Sequence, residues 1–160
     1  MNELYFNDIL LESDLRALIG AKMGEDDMFD LFNGEVNIVP IDTEGKSYSN
    51  LNAITLAIVS PSAYLTTRDD LEIQNHTMFT VEIEVYTTGK DKIINNKKLC
   101  NTLIQLLQKP QKLKNYFNSG LILEDYAQGL GTMVENTTRS ILRFSGLCDN
   151  RNLSIYSLNK

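Results

Sequence analysis

The chain has 160 residues, a length that fits one domain able to bury a hydrophobic core without disulfides or metal ions. Hydrophobic residues make up 42% of it and charged residues 22%, values typical of a globular protein, and the formal net charge is −6. This acidic balance argues against general binding to nucleic acids or anionic membranes, because both require clustered Lys and Arg side chains.

Targeting signals and metal-binding cysteine patterns are missing from the sequence. Residues 1–7 do not combine a basic start with an apolar stretch, and no apolar run approaches the ~20 residues of a membrane helix. Cys100 and Cys148 stand alone in apolar surroundings, without a CxxC pair or neighbouring histidines for zinc. We therefore expect a protein that is made and stays in the cytosol, with both cysteines buried and reduced.

The first third of the chain predicts one helix and two strands. Apolar residues recur at helical spacing over Asn2–Met23, and Gly24 stands where a glycine cap ends a helix. Val36–Ile41 predicts a short strand at a sheet edge, because Pro40 has no N–H to donate to a neighbouring strand. The apolar run Ala53–Val59 predicts a buried strand.

Polar connections separate these elements. The acidic stretch 25–30 predicts a loop or a short helical turn, and the pair Ser60 and Pro61 is expected to end or bend the second strand. Residues Arg68–Thr77, which include His76, predict an exposed polar connection.

The clearest pattern of the sequence is a strand followed by a helix. Apolar and polar residues alternate from Phe79 to Thr87, the period of two that gives a strand one apolar and one polar face. After Gly89, apolar residues beginning with Ile93 follow helical spacing as far as Pro110. A helix from about Asp91 to Gln108 should therefore pack on the sheet.

The last third of the chain predicts two more strands. Leu121–Leu123 indicates a short strand, after which Gly129 and Gly131 mark a bend. Arg139–Cys148 indicates a longer strand, with one apolar face and one face that includes Arg139 and Arg143. If this strand lies beside Phe79–Thr87, the two arginines oppose Glu82 and Glu84.

These elements together predict an α+β fold. It consists of a mainly antiparallel sheet of about four to six strands, with the N-terminal helix and the helix at about 91–108 packed on one face. Residues 1–149 form a single domain, and residues 150–160 form a C-terminal extension. The sequence contains no internal repeat.

Most common catalytic and cofactor motifs are missing. No GxSxG turn is present to accompany His76, the only histidine, and there is no phosphate-binding G-x-x-x-x-G-K-[ST] or G-x-G-x-x-G motif. The segment Gly129-Leu130-Gly131 is typical of a turn, and the acids at 25–30 lack the spacing of an EF-hand loop. We expect no catalytic residue, no cofactor and no bound metal.

One acidic constellation permits an alternative hypothesis. Asp70 precedes the strand on which Glu82 and Glu84 share a face, and restriction-type nucleases place an acid before a strand with two further metal or base groups. Those enzymes usually have an acid-x-lysine pattern, whereas Glu84 occupies the lysine position here. A metal-dependent nuclease using Asp70, Glu82 and Glu84 is therefore the enzymatic alternative, against a solvated strand face opposed by arginines.

Three segments resemble the tail terminator and tail-completion proteins of long-tailed bacteriophages and tail-like particles. They are the strand Met78–Thr87, the helical segment Asn96–Ile104 and the closing strand Thr138–Gly146. The resemblance covers about Asn2–Asp149 and concerns the order of elements, not a motif of chemistry. Related neck proteins, head-tail adaptors and minor tail proteins have a similar order of elements and form a further alternative.

The resemblance implies a structural, non-enzymatic role in virion assembly and head–tail joining. Such proteins form rings, in this case a homo-oligomer expected to be a hexamer, that stop growth of the tail tube. The implied partners are other copies of the chain, the tail tube protein and a head–tail connector or sheath protein, with no sequence-specific nucleic acid and no membrane. The implied location is the virion or tail-like particle, after assembly in the bacterial cytoplasm.

Overall fold

The structure, a computed structural model, describes residues 8–24, 37–40, 52–63, 76–109, 120–131 and 136–149. Two helices and five strands follow one another along these residues. In chain order they are α1 (Asp8–Met23), β1 (Asn37–Pro40), β2 (Ala53–Ala63), β3 (His76–Thr88), α2 (Lys92–Leu107), β4 (Ile122–Leu130) and β5 (Thr137–Asp149).

The strands form one sheet in the order β1-β2-β3-β5-β4. All neighbouring pairs are antiparallel except β1 and β2, which are parallel. β3 and β5 lie in the centre and pair without interruption from His76 opposite Asp149 to Thr88 opposite Thr137. The predicted α+β fold with a mainly antiparallel sheet is therefore confirmed, and β1, which contains Pro40, lies at an edge as expected.

The core lies between the two helices and one face of this sheet. α1 packs near β1 and β2, and α2 packs across β3, β5 and β4. Each buried side chain of this kind stabilises the fold by about 1.5–3 kcal/mol relative to an exposed one. Fully buried members from every layer are Leu11, Leu15, Ile19, Ile54, Leu56, Val81, Ile83, Val85, Leu99, Leu103, Leu107, Leu142 and Phe144.

Both helices occupy the places that the sequence predicts, with two corrections. Asp91 and Gln108 flank α2 as its caps, so its predicted bounds are confirmed. Ile93, however, begins the predicted apolar stripe and is 56% exposed, because the buried face of α2 starts at Asn96. Gly24 follows α1, but its N–H donates to the Gly20 carbonyl at 2.9 Å, and Gly24 lacks the positive φ of a glycine cap.

β2, β3, β4 and β5 are all longer than their sequence patterns indicate. β3 begins at His76, so the prediction of an exposed connection through Thr77 is wrong for its last two residues, which pair with β5. β4 continues to Leu130, although its pairing with β5 shifts between Leu123 and Asp125, and these irregularities interrupt the alternation of apolar residues. The length of β4 therefore depends more on its backbone hydrogen bonds to β5 than on the alternation of apolar residues in its sequence.

The bend expected near Ser60 and Pro61 is present as a shift of register. β2 runs through both residues to Ala63, and its pairing with β3 shifts between Val59 and Ser62. Several predictions lie outside the described residues, namely residues 2–7 of the predicted N-terminal helix, the acidic stretch 25–30, the connection from Arg68 through residue 75 and the extension 150–160.

Candidate interaction surface

The sheet face that points away from the two helices, here called the far face, has a ladder of opposite charges. Glu82 of β3 faces Arg143 of β5, and Arg143 Nε donates a hydrogen bond of 3.1 Å to Glu82 Oε2. One step along the strands, Arg139 Nη1 lies 3.9 Å from Glu84 Oε1. The predicted opposition is confirmed for Glu82 and Arg143, which helps to fix the register of the central strands, whereas Glu84 pairs with Ile141 and reaches Arg139 only diagonally.

The ladder continues sideways into neighbouring side chains. Arg143 Nη1 lies 4.0 Å from Asp125 Oδ2 on β4, and the Tyr86 hydroxyl donates a 2.5 Å hydrogen bond to Glu84 Oε2. Burial, followed by the hydrogen bond to Glu84 and its charge, raises the pKa of Tyr86 above its usual value. The described acids of the far face thus have basic or hydroxyl partners within the protein.

Two of the three residues of the alternative nuclease hypothesis belong to this ladder. Glu82 and Glu84 share one face of β3 as predicted, whereas Asp70 lies outside the described residues. Each glutamate lies next to an arginine. The positive charge of the arginine compensates the carboxylate charge that would otherwise attract a divalent metal ion. Within the described part of the chain, no group of three or more His, Cys, Asp or Glu side chains is arranged to hold a metal ion.

An apolar patch lies on the same face, near the start of β3. Met78 pairs directly with Leu147, and Ile122 pairs with Ser145 in the adjacent row. Met78, Leu147 and Ile122, here called the far-face patch, are 40%, 41% and 60% exposed. Glu124 borders the patch, because its carboxylate accepts a 2.6 Å hydrogen bond from the Ser145 hydroxyl.

The far-face patch was missed by the sequence analysis, although the sequence contains a signal for it. Met78 is separated from Glu82 by an even number of positions on β3, and Leu147 from Arg143 by an even number on β5. An apolar residue that alternates in step with the polar residues of a strand points to the same face as they do, away from the core. That pattern could have predicted Met78 and Leu147, whereas Ile122 depends on the pairing of β4.

A second exposed patch lies on α2, on the opposite side of the sheet. Ile93, Ile94, Lys97 and Lys98, here called the helix patch, are all exposed and occupy one arc of the helix surface. α2 contains three lysines and no acidic residue. This patch is therefore apolar and basic, whereas the far-face patch is apolar with acidic neighbours.

A buried polar cluster holds α2 on the sheet. Asn96 Nδ2 donates to the Val85 carbonyl at 3.0 Å, and Asn96 Oδ1 accepts hydrogen bonds from the hydroxyl of Ser140 and from Cys100 Sγ. Burial raises the pKa of the Cys100 thiol, which is free as predicted. The side chain of Cys148 is outside the described set.

A cleft of about 480 Å³ opens beside this cluster, between the first turns of α2 and the ends of β4 and β5. Its described lining includes Lys92, Gln128 and Thr138 together with Asn96 and Ser140. Ser140 already donates its hydroxyl hydrogen to Asn96, and no described lining residue is a histidine, cysteine or carboxylate that could act as a base.

None of the described helices is long and apolar enough to cross a membrane. Comparison of the chain with protein-family models and with curated proteins found no match in either set.

Proposed function

We propose that this chain is a ring-forming structural protein of virion assembly, a tail terminator that caps the tail tube and joins it to the head or neck. It acts in a bacteriophage or tail-like particle assembled in the bacterial cytoplasm. Its partners are further copies of itself, expected to form a hexamer, the tail tube protein, and a head–tail connector or sheath protein.

The segments that resemble tail terminators support this proposal through their position in the fold. Met78–Thr87 lies in β3, Thr138–Gly146 lies in the paired strand β5, and Asn96–Ile104 lies in α2. Asn96 connects all three elements through its hydrogen bonds to Val85 and Ser140. The resemblance therefore concerns one continuous structural unit instead of scattered elements.

The observation that supports the proposal most is the pair of exposed apolar patches on opposite sides of the sheet. Isolated exposed apolar residues are common, but grouped ones with charged borders are typical of protein-binding surfaces. A ring subunit needs two different contact surfaces, one for each neighbour. The arginine partners of Glu82 and Glu84 are also better suited to a fixed surface than to metal catalysis.

The test is the assembly of the purified protein with and without tail tube protein. Mass photometry and negative-stain microscopy are expected to show six-subunit rings, alone or at one end of each tube, and tubes capped in this way should stop growing. Tubes that elongate at the same rate with and without the protein, together with a chain that remains monomeric, would contradict the proposal. Binding to a head connector without tube capping would instead identify an adaptor.

A further inference from the structure

We infer that neighbouring subunits associate through the helix patch of one copy docked on the far-face patch of the next. This inference rests on the proposed ring function and assigns its subunit interface. The partner is a second copy of this chain, and the contact is head to tail because the two surfaces differ.

Charge complementarity identifies the partner. The helix patch presents Lys97 and Lys98 beside two isoleucines, and no acidic residue belongs to α2. Glu124 and Asp125, both exposed, lie next to Ile122 of the far-face patch. Among the described far-face side chains, the four carboxylates of Glu82, Glu84, Glu124 and Asp125 outnumber the guanidinium groups of Arg139 and Arg143. The two patches are thus opposite in sign.

Both patches combine apolar side chains with charged neighbours. Ile93 and Ile94 are 56% and 59% exposed, similar to Ile122 at 60%. An interface with large apolar residues in the middle and charges at the rim has the usual anatomy of a specific protein contact. Docking one patch on the other removes these isoleucines from water while the lysines approach Glu124 and Asp125.

The placement of the patches explains why the contact propagates from copy to copy. α2 lies on one face of the sheet and begins where β3 ends, with Thr87 Oγ1 donating to the Lys92 carbonyl at 2.7 Å. The far-face patch lies on the other face, at the opposite end of β3, where Met78 pairs with Leu147. A subunit that uses one surface for each neighbour forms a heterologous contact, which closes into a ring if the rotation between copies allows it.

Charge reversal tests this pairing directly. The variant K97E/K98E has two acidic patches, and the variant E124K/D125K has two basic patches. Each alone is expected to weaken association at least about tenfold, because like charges then face each other. An equimolar mixture should recover assembly as rings with alternating subunits, measured by analytical ultracentrifugation and native mass spectrometry.

Matched variants separate loss of the contact from loss of the fold. Ile94→Ser and Ile122→Ser remove one exposed isoleucine from each patch without reversing charge, and both should weaken association. Ile9→Ser on α1, where Ile9 is 79% exposed, should leave it unchanged. Circular dichroism and thermal unfolding establish that each variant is folded, and the serine variants decide the result if a charge-reversal variant is not.

The outcomes distinguish this inference from the proposed function. Wild-type rings with charge-reversal variants that assemble equally well, or a mixture that does not recover, would overturn the interface and leave the ring function standing. An effect of Ile9→Ser as large as that of Ile122→Ser would also overturn it. A wild-type chain that stays monomeric even with tube protein would overturn both.

Discussion

The side chains of Asn96 and Ser140 meet in the core, where the Ser140 hydroxyl donates to Asn96 Oδ1 between α2 and β5. Asn96 is 3% exposed and Ser140 is fully buried. Because Asn96 also donates to the Val85 carbonyl of β3, one amide holds the helix against both central strands. Buried polar groups with such complete pairing fix the position of an element more specifically than apolar contacts do.

Replacing Asn96 with Leu should lower the free energy of unfolding by about 1–3 kcal/mol, because the buried hydroxyl of Ser140 loses its acceptor. Asn101→Leu, at an exposed position of the same helix, should change it by less than about 0.5 kcal/mol. The double variant N96L/S140A should recover part of the loss. Chemical denaturation measures all three, and equal effects at Asn96 and Asn101 would contradict the role of the cluster.

Gly146→Ala should destabilise the fold by about 1–3 kcal/mol through overpacking. A Cβ atom at Gly146 would lie 2.6 Å from Leu121 Cδ2 and 2.7 Å from Phe79 Cζ, and both side chains are buried. Gly131→Ala is the matched control, since a Cβ there meets nothing within 4 Å and the residue has no positive φ. Thermal unfolding should therefore show a lower Tm for Gly146→Ala alone, and similar Tm values for both variants would refute the argument.

The sequence predicts the fold where local pattern and tertiary contact agree. From Phe79 to Thr87 the apolar residues of β3 are buried, and the predicted alternation is present in full. In α2 the predicted bounds agree as well, but Asn96 is a polar residue in the buried stripe. Its partners Val85 and Ser140 lie 11 and 44 residues away in the sequence, and no local pattern relates them to Asn96.

The charge ladder was predictable, and the exposed patches were only partly so. Opposition of Glu82 and Arg143 follows from parity once β3 and β5 are taken as neighbours. Ile122 is different, because its orientation depends on the irregular pairing of β4, which the short predicted strand Leu121–Leu123 does not specify. The helix patch was not predicted, because Ile93 also fits the helical spacing of the apolar residues and was therefore assigned to the buried stripe.

Tyr126→Phe should leave the protein equally stable or slightly more stable at neutral pH. The buried Tyr126 hydroxyl lies near the Cys100 thiol but makes no hydrogen bond of normal distance and angle, so its removal abolishes a desolvation cost. Tyr86→Phe is the contrasting variant, since it loses the hydrogen bond to Glu84 and should cost about 1 kcal/mol. A loss of stability in Tyr126→Phe equal to that in Tyr86→Phe would contradict this difference.

Tyr126 should also make the stability of the fold depend on pH. Burial, and next the neighbouring Cys100, raise the pKa of Tyr126 above its ordinary 10.0. The unfolded chain therefore releases this proton at lower pH than the folded chain does, so the contribution to stability is complete below pH 10 and is lost above it. Urea denaturation between pH 8 and 11 should show a steeper loss in wild type than in Tyr126→Phe, and parallel curves would contradict the shift.

The ion pair between Glu82 and Arg143 should contribute only about 0.2–1 kcal/mol of coupling energy, because Arg143 is exposed to solvent. A double-mutant cycle with Glu82→Gln and Arg143→Gln measures this term. A second cycle with Asp125→Asn provides the comparison, since Asp125 lies 4.0 Å from Arg143 and is more exposed. Its coupling should be smaller, and both should weaken in 1 M salt. A larger coupling energy for Asp125 and Arg143 than for Glu82 and Arg143 would show that distance and exposure do not determine these energies.

The protein should not cleave DNA in the presence of Mg²⁺ or Mn²⁺. Two-metal hydrolysis needs carboxylate oxygens that converge on the ions, whereas Glu82 and Glu84 lie beside Arg143 and Arg139. The variant R139Q/R143Q removes the positive charges beside both glutamates and provides the stricter test, because it should remain inactive on linear and supercoiled DNA in the same buffer. Metal-dependent cleavage by wild type that disappears in E82Q/E84Q would contradict the structural role and assign these carboxylates to catalysis. A trace activity that persists in E82Q/E84Q would not depend on these two carboxylates, since the substituted side chains cannot supply the metal-binding charge.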